Sequence, residues 1–179
     1  GYGSMNLTTS GTDSVGVGGY TLNQTTTGYS NVAVGFSVLR NNTTAFQNTG
    51  VGAYALRYNT TGQENTGVGE GALYDNTTGS YNVSVGRSNN ATANGNTVVG
   101  HQAALTNTTG FSNVAVGRAA LYSNTTGAYN VAIGMEALRA NTTATGSVGV
   151  GFRALYNLTS NNNIGIGYQA GCSIPSGNV

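Results

Sequence analysis

A five-residue motif returns ten times along the chain, and its spacing constrains the fold more than any other feature of the sequence. In its fullest form the motif is Asn-Val-Ala-Val-Gly, as at residues 31–35 and 113–117. Successive copies begin 17, 17, 17, 17, 14, 17, 17, 17 and 16 residues apart. A repeat this short cannot bury a core of its own, so its copies must stack on one another. The spacing therefore predicts a solenoid in which each repeat forms one coil.

Positions within a coil are numbered from the Asn or Ser that opens the motif, which is position 0. Position 3 is Val or Ile and position 4 is Gly in all ten copies, while position 1 is Val, Thr or Ile. Such β-branched residues predict a short strand over positions 1 to 3. The glycine that follows predicts a sharp turn where a Cβ is not tolerated. These predicted turn glycines are Gly18, Gly35, Gly52, Gly69, Gly86, Gly100, Gly117, Gly134, Gly151 and Gly167.

The two faces of the predicted strand differ in side-chain size. Positions 1 and 3 point to one side and position 2 to the other. Position 2 is Gly, Ala or Ser in every copy except for Val98. We expect the Val and Ile column to fill the coil interior against the leucines of a following Ala-Leu segment, as at residues 55–56 and 72–73. The small residues are then expected to press against another layer or another copy of the chain.

Two connecting segments complete each coil. The Ala-Leu segment forms either a second short strand or a single helical turn, and its length does not decide between them. The second segment, Asn-Thr-Thr-Gly or a variant, consists of turn formers. It also matches the Asn-x-Thr acceptor pattern, so it is either a loop alone or, in a source that glycosylates, a line of sugars. The predicted glycosylation sites are Asn42, Asn59, Asn76, Asn107, Asn124 and Asn141.

Polar columns are expected to stack in the same way as the apolar ones. The asparagines at position 0 are predicted to hydrogen-bond from coil to coil as an amide ladder. Position 9 alternates between arginine and tyrosine, which predicts cation–π contacts along the stack. The alternative at position 9 is an aromatic platform for sugars. The predicted glycan contacts are Tyr74, Tyr122 and Tyr156.

The composition of the chain excludes several classes of function. The chain has six Arg, five acidic residues and a net charge of +1, so it lacks the basic face that nucleic-acid binding needs. The acidic residues and the single histidine, His101, fall at different positions of different coils. This scatter predicts no catalytic or metal centre, no cofactor and no enzyme. No apolar run is long enough to suggest membrane insertion.

The motif, with alanine three residues after its glycine as at Gly117 and Ala120, resembles the head repeats of trimeric autotransporter adhesins. It is also similar to repeats in the stalks of phage and bacterial surface fibres. The 14-residue unit 82–95 matches the coil length of the head repeats. The resemblance implies a left-handed β-roll assembled as a homotrimer or filament of identical chains.

We therefore predict an all-β parallel β-solenoid of about ten coils with about 17 residues each. Residues 1–13 are expected to form a partial coil, residues 14–177 ten coils, and residues 178–179 the start of a further one, so that the chain is a repeat array truncated at both ends. The predicted function is a spacer in an extracellular, cell-surface or virion-attached fibre. The alternative is an adhesin or fibre head that binds host or surface glycans.

Overall fold

The computed structural model describes residues 1–7, 9–88 and 90–173, so the predicted further coil at residues 178–179 lies outside the described residues. Its described part contains ten three-residue strands and no helix. Each strand occupies positions 1 to 3 of one coil. The strands are β1 (Val15–Val17), β2 (Val32–Val34), β3 (Thr49–Val51), β4 (Thr66–Val68), β5 (Val83–Val85), β6 (Thr97–Val99), β7 (Val114–Val116), β8 (Val131–Ile133), β9 (Val148–Val150) and β10 (Ile164–Ile166).

The ten strands form one parallel sheet in the order β1 to β10. Equal positions pair throughout, so that Val17 lies beside Val34 and Val34 beside Val51. At the usual strand spacing of about 4.8 Å, the sheet is roughly 43 Å long. Backbone hydrogen bonds also join the coils outside the strands, as from Leu39 N–H to Ala55 C=O at 3.1 Å. The predicted parallel β-solenoid and its register are confirmed.

All ten predicted turn glycines adopt positive φ, between 104° and 136°. Each of the first nine, from Gly18 to Gly151, lies directly over the glycine of the next coil. A Cβ added to Gly117 would be 2.6 Å from the carbonyl oxygen of Gly134, and one added to Gly134 would be 2.5 Å from that of Gly151. Both the backbone conformation and this close approach therefore require glycine.

The Ala-Leu segment is neither a strand nor a helix. Two of its residues have left-handed backbone conformations in most coils, as at Tyr54 (φ 63°) and Leu56 (φ 51°). The Tyr54 N–H donates to Phe36 C=O at 2.8 Å in the preceding coil, while the Leu56 N–H donates to Ala72 C=O at 2.9 Å in the following one. The segment thus satisfies its backbone groups with both neighbours, without regular secondary structure of its own.

The face of each strand that points into the coil is the opposite of the one that we predicted. In β2 to β10 the middle residue, at position 2, is buried, whereas positions 1 and 3 are partly or fully exposed. The expected packing of the Val column inside the coil is therefore wrong, and so is the expectation that small residues contact another copy. The cause is steric: a Cβ added to Gly149 would lie 3.2 Å from Leu138 Cγ of the preceding coil. The leucines leave room only for small residues opposite them.

The short fifth coil, residues 82–95, divides the core. One apolar cluster extends from Leu22 to Leu73 and the other from Val98 to Leu158. Between them the interior is polar, and Ser84 Oγ lies 2.6 Å from Ser88 Oγ. The fifth coil has no leucine at position 8, so the space that leucine occupies elsewhere is available to Val98, the one large residue at position 2.

The predicted asparagine ladder at position 0 is confirmed. Each Oδ1 accepts the backbone N–H of the asparagine one coil further on, as from Asn65 to Asn48 at 2.9 Å and from Asn82 to Asn65 at 3.0 Å. From Asn31 to Asn130 each Nδ2 donates to a carbonyl in the turn that closes its own coil, as from Asn65 to Gly79 at 2.8 Å. Because these amides are buried, the ladder stabilises the stack by satisfying groups that water cannot reach.

Candidate functional site

The exterior of the ten-stranded sheet carries a continuous row of exposed and half-exposed apolar side chains. Two side chains per coil, at positions 1 and 3, point outward as two straight columns of Val, Ile and Thr. The exposed members include Val17 at 56%, Val85 at 44% and Ile133 at 40%. This surface, termed the outer sheet face, is about 43 Å long and about 10 Å wide, or roughly 400 Å². Apolar patches of that size often mark interaction sites.

Exposed aromatic residues border the outer sheet face. From Val15 to Ser173, every large hydrophobic residue that is exposed among the described residues lies on a strand or within three residues of one. On one side the Tyr29 and Phe46 rings stack with centroids 4.9 Å apart, and on the same side Phe111 and Tyr129 meet edge to face. Between Val15 and Ser173, apolar exposure is thus concentrated on the strands and on the residues next to them.

Beyond the turn glycines, arginine and tyrosine alternate along the axis as predicted. The Arg139 guanidinium lies between the Tyr122 and Tyr156 rings, 5.0 and 5.8 Å from their centroids, and Nη1 donates to Tyr156 Oη at 2.9 Å. Arg57 has the corresponding place beside Tyr74, with Nη1 donating to Tyr74 Oη at 3.2 Å. The predicted cation–π packing is confirmed. All three tyrosines that were predicted to contact glycans are partly buried in these contacts, so each presents only part of its ring to a ligand.

One ion-pair cluster interrupts the aromatic column near the end of the chain. Arg153 Nε donates to Glu136 Oε2 at 2.7 Å, and Arg118 lies 3.6 Å from the other carboxylate oxygen. The hydrogen bond from Arg153 holds the pKa of Glu136 below its ordinary value. It also raises the pKa of Arg153.

The predicted glycosylation sites lie in the interior. All six asparagines are at most 2% exposed, and they form a second amide ladder at position 11. Asn124 Nδ2, for example, donates to Asn107 Oδ1 at 2.9 Å and to Gly127 C=O at 3.0 Å. A glycosylated Nδ2 has only one hydrogen left to donate and needs open space for the sugar. In the folded chain these positions therefore cannot carry glycans, which corrects the prediction for Asn42, Asn59, Asn76, Asn107, Asn124 and Asn141.

The second ladder breaks where the short coil begins. Asn76 Oδ1 and Asn90 Nδ2 are buried and have no hydrogen-bond partner, although the equivalent atoms of other coils bond to each other. An open cleft of about 250 Å³ lies on the surface of the third, fourth and fifth coils. We call it the junction cleft. It is lined by Tyr54, Arg57, Glu70, Gly71, Tyr74 and Arg87.

No family model, curated protein or solved structure matches this chain. The residues described contain no group of three or more His, Cys, Asp or Glu side chains that could hold a metal ion. His101, the only histidine, is exposed. In the described part of the chain, no helix has the length and apolar character needed to cross a membrane.

Two of these features, the second amide ladder and the junction cleft, were not predicted from the sequence. The second amide ladder has the same signal as the first, an asparagine at constant phase, but its Asn-Thr-Thr-Gly context pointed to a surface loop. The junction cleft depends on two local departures from the repeat, namely the 14-residue coil and Gly71 at a position where most coils carry a side chain. These departures can be seen in the sequence, but the sequence does not show which side chains of neighbouring coils lie around them.

Proposed function

We propose that this chain is a structural segment of an extracellular or virion-attached fibre, in which copies of the chain associate through their outer sheet faces. The observation that carries the proposal is the concentration of exposed Val, Ile and aromatic side chains along one side of the stack. A lone chain in water would leave this apolar surface hydrated at a free-energy cost.

The repeat geometry favours another copy of the same chain as the partner. The two columns have a ridge at every strand, about 4.8 Å apart. A partner with the same rise can match these ridges over the whole length, whereas a partner without that period matches them at a few points only. The resemblance to trimeric adhesin repeats implies three chains around a common axis, and we propose the homotrimer as the unit of the fibre.

The spacer role follows from the way in which the coils are held together. Each coil bonds only to its two neighbours, so stability and length grow with the number of coils. Backbone hydrogen bonds and two amide ladders run along the axis, and within the described residues they leave few buried polar groups unpaired. Such a stack resists local opening because buried groups must lose partners when it bends or frays. No catalytic step is part of the proposal.

Self-association is tested by the molar mass of the chain in solution, measured by light scattering coupled to size exclusion. We expect a multiple of the 18.1 kDa chain mass, and three chains for the homotrimer. Val116→Glu places a charge in the middle of the outer sheet face and is expected to weaken association at least tenfold. The matched control is Thr126→Glu, at an exposed position away from the strands, which should leave the mass unchanged. A monomeric parent chain contradicts the proposal, as does equal dissociation of both variants.

A further inference from the structure

We propose that the junction cleft is a binding site for a saccharide unit that bears a carboxylate, such as a uronic acid. The site is independent of the self-association proposed above, because its residues follow the turn glycines and lie outside the strands. It lies next to the short fifth coil, and its lining comes from the third, fourth and fifth coils.

Two departures from the repeat open the cleft. Position 6 carries a side chain in most coils, such as Tyr54, Gln102 or Arg153, but it is glycine at Gly71. The next coil has only 14 residues and carries Ala91 at position 9, where the two preceding coils have arginine or tyrosine. Gly71 is buried, and the three atoms nearest to a Cβ added there all belong to the flexible Arg87 side chain, 3.6 to 3.9 Å away, so Arg87 lies over the place that a side chain takes in most other coils.

The ninth coil shows what fills the equivalent space elsewhere. There Arg153 occupies position 6, lies 5.4 Å from the centroid of the Tyr156 ring and pairs with Glu136. In the fourth coil the equivalent of Arg153 is Gly71, and the Tyr74 ring has no such cover. Tyr156 thus has the guanidinium groups of Arg139 and Arg153 near its ring, whereas among the described contacts Tyr74 has only that of Arg57.

The charged groups around the cleft have spare bonding capacity. Glu70 and Arg87 take part in no ion pair or side-chain hydrogen bond among the described residues, in contrast to Glu136 and Arg153. The one described hydrogen bond of the Arg57 guanidinium runs from Nη1 to Tyr74 Oη, which leaves Nη2 without a described hydrogen bond. Two guanidinium groups and one carboxylate give the cleft a net positive charge, which favours an anionic ligand.

These groups match the chemistry of an acidic sugar. A guanidinium donates two parallel hydrogen bonds to a carboxylate. The Tyr54 and Tyr74 rings offer an apolar body with a polar tip, suited to a sugar ring that has apolar C–H faces and polar hydroxyls. Glu70 can accept hydrogen bonds from those hydroxyls. A volume of about 250 Å³ suits a single sugar unit rather than a long chain.

The test is a titration of the full chain with methyl β-glucuronide, followed by nuclear magnetic resonance, with methyl β-glucoside as the neutral probe. We expect saturable binding of the glucuronide and at least tenfold weaker binding of the glucoside. Arg57→Gln is expected to weaken glucuronide binding at least tenfold. Gly71→Gln should do the same by filling the cleft, and glutamine is already accommodated at this position as Gln102, where φ is 60°.

The matched control is Arg139→Gln, which removes the same kind of guanidinium from between Tyr122 and Tyr156, away from the residues that line the junction cleft. This variant should bind glucuronide as the parent does. Equal binding of the two sugars, the absence of saturation, or equal loss in Arg57→Gln and Arg139→Gln overturns the proposal. If Arg57→Gln fails to fold, Gly71→Gln alone decides: unchanged binding in that variant overturns the site.

Discussion

Replacing Gly117 with alanine is expected to prevent the chain from folding or to lower its free energy of unfolding by at least about 4 kcal/mol. The φ of Gly117 is 130°, which an L-residue rarely adopts. Its new Cβ would lie 2.6 Å from the carbonyl carbon and oxygen of Gly134. Those atoms belong to the backbone of the next coil, so they can yield only if the two coils separate.

The control for this prediction is Gly167→Ala, because Gly167 has a φ of 124° but no atom of the described residues lies within 4 Å of the added Cβ. It retains the conformational strain and removes the collision, so we expect a loss of only about 1–3 kcal/mol. Urea denaturation followed by circular dichroism measures both variants. Equal losses at Gly117 and Gly167 would mean that coil-to-coil contact at the glycine column does not limit the fold.

Aspartate at Ala132 is expected to abolish folding, whereas aspartate at the adjacent Val131 should be tolerated. Ala132 is fully buried in the core, and a charge placed there without a partner costs several kcal/mol. Val131 lies on the outer sheet face, where aspartate meets water and should cost about 1 kcal/mol through its low strand propensity. Soluble yield and thermal unfolding by circular dichroism separate the two outcomes.

The pair also tests which face of the strand is inside. If the Val and Ile columns filled the coil, Val131→Asp would be the destructive change and Ala132→Asp the mild one. Ala132→Ser serves as a control of similar size. The fifth coil already has a buried serine, Ser84, at the position that Ala132 occupies in the eighth coil. We expect Ala132→Ser to fold, which would assign the effect of aspartate to its charge and size rather than to loss of alanine.

Register was the part of the fold that the sequence determined best. Position 4 is glycine in every copy. All of these glycines can form the same turn only if equal positions of successive coils lie over one another. Strand position, turn position and the coil-by-coil order followed from that periodicity. The amide ladder at position 0 followed for the same reason, since buried asparagines at constant phase can satisfy one another.

Inward and outward faces could not be assigned from the pattern alone. A strand with large residues on one face and small ones on the other can place either face inside the coil. Large apolar residues are usually buried, and this general preference led to the wrong assignment. What decides is the narrowness of the coil, where Leu56 already reaches the opposite strand: a Cβ on Gly67 would lie 3.4 Å from its Cγ. That distance depends on left-handed residues such as Leu56 itself, which no propensity predicts.

The candidate sites were less accessible to sequence reasoning. The asparagines of the Asn-Thr-Thr-Gly turns were assigned to a surface loop because turn formers are usually exposed. In the solenoid the same turns close against the next coil, so the asparagines point inward. The junction cleft depends on residues from three coils, including Arg57, Gly71 and Arg87, whose proximity becomes apparent only when the coils are stacked.

The stacking of coils is tested most directly by small-angle X-ray scattering of this chain and of a chain lengthened by a second copy of residues 96–162, which contain four coils. With one coil per strand spacing, the longest dimension should increase by roughly 19 Å while the cross-section stays the same. A particle that instead grows in all directions, with little gain in length, would contradict the solenoid and the spacer function built on it.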